Sequence, residues 1–195
     1  MSLIGKKAPD FNAPAVVDNI PVDSFDSASL RGNWAVVFFY PLDFTFVCPT
    51  EIIAFSDAAP EFEAIGAKVV GISVDSHWTH FAWVRTPRDQ GGLGDLNIPL
   101  VSDLNKTIAR GYDCLDEEAG VAFRGVYLLD PEGNVQSCII NNLPVGRNVK
   151  EVLRTLKGFQ YVTTHDGEVC PANWEEGADT MNANPDGVAQ YLGSH

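Results

Sequence analysis

Two short runs, Ala35-Val-Val-Phe-Phe-Tyr40 and Lys68-Val-Val-Gly-Ile-Ser-Val74, are almost wholly apolar and rich in β-branched and aromatic residues. That is the pattern of strands buried on both faces of a sheet. Between them Ile52, Phe55, Ala59, Phe62 and Ile65 recur at helical spacing, with Pro49 and Thr50 suited to a first turn, Gly66 to the stop, and Pro60 to a kink or break. A second helix is predicted from Ser76, carrying Trp78, Phe81, Ala82 and Val84, and ending before Pro87 and the loop Gly91-Gly-Leu-Gly94. Strand and helix alternate this far, which points to βαβ units. Leu100-Val101 reads as a short strand, Leu104 to Arg110 as a helix, and Val121 to Leu129 and Val135 to Ile140 as strands joined by the turn Asp130-Pro-Glu-Gly-Asn134. The best-signalled helix comes last: Asn148 and Glu151 resemble a capping box, and Val149, Val152, Leu153, Leu156 and Phe159 form an apolar stripe. Beyond His165 the periodicity ends. The pattern therefore predicts one folded domain over residues 1–165 and an extended arm over 166–195, rich in Gly, Pro, Asn and Asp, that is part of the same domain. No internal repeat or low-complexity tract interrupts it.

Composition adds exclusions. The 195 residues are 45% hydrophobic and 20% charged, enough apolar mass for a core. With 13 basic against 26 acidic side chains the net charge is −13, which argues against a duplex-binding surface, because nucleic-acid affinity needs clustered Lys and Arg. The charge is uneven. Residues 81–157 hold 9 of the basic groups against 10 acids, and no Lys or Arg follows Lys157. No apolar run reaches the roughly 18 to 20 residues a spanning helix requires, and the start lacks an apolar signal core, so a cytoplasmic protein with no membrane partner is expected. Cys48, Cys114, Cys138 and Cys170 are few for a secreted disulfide scaffold and stand 66, 24 and 32 residues apart. With no Cys-x-x-Cys pair, structural zinc and a dithiol redox motif lose their usual signature.

The segment Phe38 to Glu51 carries the chemistry. It sets Cys48 directly after a buried strand and at the opening of a helix, where unpaired N–H groups and the positive helix end favour a thiolate. Thr45 stands three residues earlier, within reach of a hydrogen bond at the same pocket, and Pro41 and Pro49 stiffen the segment on either side.

Pro41-x-x-x-Thr45-x-x-Cys48 resembles the active-site motif of peroxiredoxins, and Phe44-Thr-Phe-Val-Cys-Pro-Thr-Glu51 resembles their typical 2-Cys group. The likeness continues in order through Asp75-Ser-x-x-Thr-His-x-Ala-Trp83, Thr86-Pro-Arg88, Gly91-Gly-Leu-Gly94, Tyr112, Arg124-Gly125, Leu143-Pro-Val-Gly-Arg147, Phe159-Gln-Tyr161 and Gly167-Glu-Val-Cys-Pro171. It covers nearly the whole chain. The resemblance implies an α/β, thioredoxin-like fold with a central mixed sheet flanked by helices and an extended C-terminal arm. It implies a thiol peroxidase for hydrogen peroxide and organic hydroperoxides, serving antioxidant defence, with Cys48 as the peroxidatic thiolate. Cys170 matches the resolving cysteine, supplied by the partner subunit of a homodimer and closing an intersubunit disulfide that thioredoxin or a flavoprotein disulfide reductase reopens. Arg124 matches the arginine beside the peroxidatic sulfur, Thr45 the residue that orients the hydroperoxide, and Glu51 the carboxylate that holds Arg124 and Arg147. Dimers of the resembling family commonly close into decameric rings, and no cofactor or metal is implied.

Blander roles compete residue by residue. Cys114 and Cys138 read as packing residues. Arg147 serves either the site or a subunit contact, the two being equally supported by its sequence setting. His77 and His80 share a helical face but lack a third ligand at a known metal spacing, so surface or packing roles fit better. Gly91-Gly-Leu-Gly94 lacks the Lys-Ser/Thr of a phosphate loop, and Trp174 reads as an anchor for the arm. Among rival functions, a thioredoxin-like disulfide reductase needs the missing Cys-x-x-Cys pair, and a holdase chaperone or redox-relay binding protein of the same fold remains open. In the resembling family the Gly-Gly-Leu-Gly loop and a C-terminal Tyr-Phe pair accompany easy over-oxidation. Here Tyr191-Leu192 replaces that pair, so intermediate sensitivity is expected.

Overall fold

Trp34–Phe39, the run expected to be buried on both faces, forms the strand around which the N-terminal part is built. The computed structural model describes residues 2–195 and divides into two compact units, Met1–Val149 and Lys150–His195. The N-terminal unit contains a seven-stranded mixed sheet of β1 (Asn12–Val17), β2 (Ile20–Asp26), β3 (Trp34–Phe39), β4 (Ala67–Ser73), β5 (Leu100–Ser102), β6 (Arg124–Leu129) and β7 (Val135–Asn141), in the order β2-β1-β5-β4-β3-β6-β7. β3, β4 and β5 run parallel, and the remaining neighbours are antiparallel. The helices of this unit are α1 (Cys48–Asp57), α2 (Ala59–Ala64), α3 (His77–Arg85) and α4 (Thr107–Gly111).

Alternation along the strands sets the two faces. Ala35, Val37 and Phe39 of β3 join Val70, Ile72, Val101, Ile108 and Tyr127 in one buried cluster. Phe38 points the other way and stacks on Phe55 of α1 at 4.3 Å between ring centres. This stack packs α1 on that face of the sheet, and its N-terminus follows the carboxyl end of β3, the end at which sites in open α/β sheets are found. The break between α1 and α2 comes at Ala58, with Pro60 in the first turn of the second helix, as Pro60 foretold. Ser76 caps α3, its hydroxyl accepting from the Thr79 amide at 3.1 Å.

Several elements depart from the hydrophobic pattern. β1 and β2 were not expected; their signal is the turn Asp18-Asn19, both at positive φ, which suits a tight two-residue hairpin. The helix expected from Leu104 starts only at Thr107, because the Asp103 carboxylate accepts the Ile108 and Ala109 amides at 2.9 and 2.7 Å and spends the preceding residues on a turn. The strand expected over Val121 to Leu129 is interrupted at Phe123, its first two residues pairing with Leu115–Asp116. Gly91 to Gly94 folds back on α3: a Cβ on Gly92 would overlap the Thr86 carbonyl, and Trp83 donates to the Gly91 carbonyl at 2.8 Å.

The C-terminal unit begins at Lys150, one residue into α5 (Val149–Thr164), whereas the hydrophobic pattern began the arm after His165. The arm is also more regular than its composition suggested. Glu168–Val169 pairs with Met181–Asn182, and α6 (Pro185–Ser194) follows, its N-cap Asn184 accepting the Gly187 amide at 2.8 Å. Trp174 is buried in this unit and donates to the Ala178 carbonyl, consistent with an anchoring role. Among the described residues no helix is long and apolar enough to cross a membrane.

Close packing beneath α1 leaves no room at Gly71 of β4, where a Cβ would sit 2.8 Å from Phe38 Cζ and 2.9 Å from Leu100 Cδ2. Phe38 cannot yield, being stacked on Phe55. A Gly71→Val variant is expected to lose about 1–3 kcal/mol, as overpacked cores do. The check is thermal unfolding, with a drop in Tm of several degrees.

Candidate active site

Cys48 is the first residue of α1 and is fully buried. Pro49 follows in the first turn, where its missing N–H costs nothing, and Val47 at the N-cap offers no side-chain acceptor. Thr45 Oγ1 lies 3.0 Å from Cys48 Sγ and 2.8 Å from the Leu42 carbonyl, so its single proton serves one of them at a time. Arg124, at the start of β6, places Nη1 at 3.4 Å from the same sulfur. The buried Pro41 opens the segment that leads from β3 to this cluster.

Below the sulfur sits a buried ionic bridge. Glu51, one turn along α1, accepts from Arg124 Nη1 through Oε2 at 2.6 Å and from Arg147 Nε through Oε1 at 2.7 Å. The Arg147 backbone amide donates to the same Oε1 at 2.8 Å. Arg124 Nε is taken by the Leu143 carbonyl at 2.6 Å, and Arg147 Nη1 by the carbonyls of Phe39 and Gly125. Arg147 Nη2 is left with no oxygen partner; its guanidinium carbon instead lies 5.4 Å from the Phe38 ring centre and 5.9 Å from that of Phe55. The aromatic faces supply that side of the cation with its counter-interaction. One carboxylate against two permanently charged guanidinium groups leaves the cluster with an excess of positive charge beside the cysteine.

The structure thus brings Thr45, Cys48, Glu51, Arg124 and Arg147 into one cluster, with Arg147 buried against Glu51. Cys170 belongs to the C-terminal unit. There it is partly buried, with Sγ 3.8 Å from the Gly158 carbonyl, in a 280 Å³ groove also lined by Arg154, Phe159 and Trp174. Burial pushes its thiol up; Arg154 opposes the shift and Glu168 adds to it. Cys114 is enclosed in the core and pushed up to about 11, mainly by burial, which keeps it a thiol. Cys138 packs partly buried against the same core cluster. Both behave as the packing residues expected.

One polar cluster escaped the reading of the residues. Tyr40, Asp43 and His80 are buried together: His80 Nδ1 lies 2.6 Å from Asp43 Oδ2, and the Tyr40 hydroxyl donates to Asp43 Oδ1 at 2.9 Å. The helical face that His80 shares with Trp83 and Val84, both buried, was the available signal.

Comparison with known proteins agrees with this arrangement. Residues 4–138 match a model of the AhpC/TSA family, and residues 158–194 match one described as the C-terminal domain of 1-Cys peroxiredoxin. Peroxiredoxin-2 of Mus musculus is 51% identical over 192 residues, which is 98% of this chain and 96% of that protein. The chain belongs to the peroxiredoxin family. A thioredoxin peroxidase of Trypanosoma brucei rhodesiense is 51% identical over 187 residues, 96% of this chain and 94% of that one. The reduced 2-Cys peroxiredoxin of Plasmodium vivax superposes with a TM-score of 0.95 at 41% identity, covering 99% of this chain and all of that one. The thioredoxin-like fold of this peroxiredoxin follows from that likeness together with the mixed sheet.

In this peroxiredoxin Glu51 is, among the described residues, the one acid paired with the two guanidinium groups of the cluster, and its side chain is 2% exposed. Glu51→Ala would leave two buried cations without their counter-charge. A loss of about 3–5 kcal/mol is expected, the usual result of removing one partner of a buried pair. Denaturant unfolding checks it: the midpoint falls with unchanged m value.

Proposed function

We propose that this chain is a thiol-dependent peroxidase of antioxidant defence in which Cys48 is the peroxidatic residue and Cys170 of the partner subunit resolves it. The observation that carries the reading is the Cys48 sulfur itself, at a helix N-terminus, 3.0 Å from Thr45 Oγ1 and 3.4 Å from Arg124 Nη1. A negative charge on that sulfur balances the excess positive charge left by Glu51, Arg124 and Arg147. The names of its relatives, peroxiredoxin and thioredoxin peroxidase, support the same chemistry.

The Cys48 thiolate attacks one oxygen of the hydroperoxide. An S–O bond forms, the O–O bond breaks, and the electron pair leaves on the second oxygen, which departs as water or an alcohol after taking a proton. Negative charge builds on that departing oxygen, where the fixed Arg124 guanidinium stabilises it without having to reorganise. Thr45, with its proton directed to the Leu42 carbonyl, has lone pairs open to accept from the hydroperoxide O–H. Pro41 and the stiff segment after it hold Thr45 and Cys48 in register. Cys48 ends the step as a sulfenic acid. The thiol of Cys170 from the partner subunit then condenses with it, giving a disulfide and one water. A dithiol reductant, thioredoxin or a flavoprotein disulfide reductase, returns both cysteines to thiols. The working unit is a homodimer, with dimers closing a decameric ring, in the reducing cytoplasm that keeps such thiols ready.

Two assays test the assignment. Cys48→Ser is expected to drop steady-state peroxide consumption to background, and full retention overturns the reading. On non-reducing gels after one equivalent of peroxide, a dimer band is expected from the wild type, Cys114→Ser and Cys138→Ser, and no such band from Cys170→Ser. A monomer band throughout refutes the intersubunit disulfide.

A further inference from the structure

Cys48 is 0% exposed. A sulfur so enclosed cannot meet a cysteine of another subunit, so the disulfide of the proposed cycle requires the segment before α1 to open first. What holds that segment shut is visible in the structure and is separate from the groups that touch the sulfur. Residues 41–47 are fastened chiefly at Asp43. Its carboxylate meets His80 Nδ1 at 2.6 Å and the Tyr40 hydroxyl at 2.9 Å, and its backbone N–H donates to Asp75 Oδ2 at 2.8 Å. Ser73 Oγ, at the end of β4, donates to the same Asp75 oxygen at 3.1 Å. Phe44 adds a ring contact, 5.4 Å from Trp83, but pays for it with φ +52, a left-handed conformation that a bulky side chain disfavours.

The protons of this cluster can be placed. His80 Nε2 lies 3.3 Å from the Val101 carbonyl, which only accepts, so Nε2 carries a hydrogen. Nδ1 and Asp43 Oδ2 then share one further proton between them, either as imidazolium and carboxylate or as imidazole and carboxylic acid. Both forms have zero net charge and both keep the 2.6 Å bond, so the side chains stay paired at 0% and 1% exposure without an uncompensated charge. The bond ties the loop to α3, an element that carries no group touching Cys48.

We propose that the Asp43–His80 pair, with Tyr40, is a latch on the peroxidatic loop that sets how often Cys48 is released for disulfide formation, and hence how its sulfenic acid divides between two fates. With the latch closed, the sulfenate stays in the pocket and can react with a second hydroperoxide, gaining one oxygen to become sulfinic acid while the peroxide leaves as water or alcohol. With it open, the sulfenic acid condenses with Cys170 and loses water. His80 and Asp43 are positioning residues, since neither touches the reacting sulfur. The proposal rests on the assignment of Cys48 and Cys170 above.

The test measures both steps on the full-length protein. Stopped-flow mixing with hydrogen peroxide gives sulfenic acid formation and disulfide formation separately, and mass spectrometry gives the sulfinic fraction of Cys48 at a fixed peroxide dose. His80→Phe is expected to speed disulfide formation about tenfold, the scale of one charge-assisted hydrogen bond, and to lower the sulfinic fraction accordingly. Sulfenic acid formation should change little so long as the closed form stays in the majority. Tyr40→Phe, which removes only the hydroxyl and keeps the ring in the core, is expected to act in the same direction by about threefold, and it serves if His80→Phe fails to fold. The proposal is overturned if the folded variants divide their sulfenic acid as the wild type does, or if both steps slow in parallel, as a general structural defect would make them. A wild type that forms no Cys48–Cys170 disulfide would instead overturn the assignment on which the proposal rests.

Discussion

The site depends on one buried carboxylate. Glu51 takes a hydrogen bond from Arg124 on β6 and two from Arg147 after β7, residues 73 and 96 positions further along the chain, and so ties α1 to both segments. Burying three charges is costly, and it is tolerated here because nearly every polar atom finds a partner: backbone carbonyls for Arg124 Nε and Arg147 Nη1, and aromatic faces for the remaining Arg147 nitrogen. The imbalance of one acid against two bases is then a fixed property of the fold. It sets an excess of positive charge beside the neighbouring sulfur, on a protein whose net charge is −13.

That bridge works only if α1 lies where it does. The Phe38–Phe55 stack, the absence of a side chain at Gly71 and the bracing of Arg147 against both rings belong to one packing solution. Packing and electrostatics are therefore not separable at this site. A change in the strand layer beneath α1 moves Cys48 and Glu51 together, and shifts both relative to Arg124.

The interior that shapes the pocket also encloses the sulfur. Complete burial preorganises Cys48 against Thr45 and Arg124, and it blocks any larger thiol. A loop fastened by a few polar contacts and carrying a left-handed Phe44 is a physical compromise between these demands, because such a segment can open at a cost well below that of global unfolding.

Much of this was legible in the residues. The apolar runs at Ala35 and Lys68, the Pro60 break and the Asp130 turn foretold the elements they became, because burial on both faces, a missing amide and a tight turn act locally. The Cys48 motif and its companions pointed to the family by their order alone. The hairpin of β1 and β2 and the helix α6 were not foreseen, since their strand and helix patterns are short and partly exposed, although the turn Asp18-Asn19 and the cap Asn184-Pro185 were there to be seen. Sequence thus determined which residue types could do thiol chemistry and which stretches had to be buried. Only tertiary structure decided that Glu51 would serve two arginines at once, that Arg147 would turn inward, and that His80 would find Asp43 thirty-seven positions away. Such pairings join residues distant in the chain, and local pattern carries no record of which buried charge will meet which.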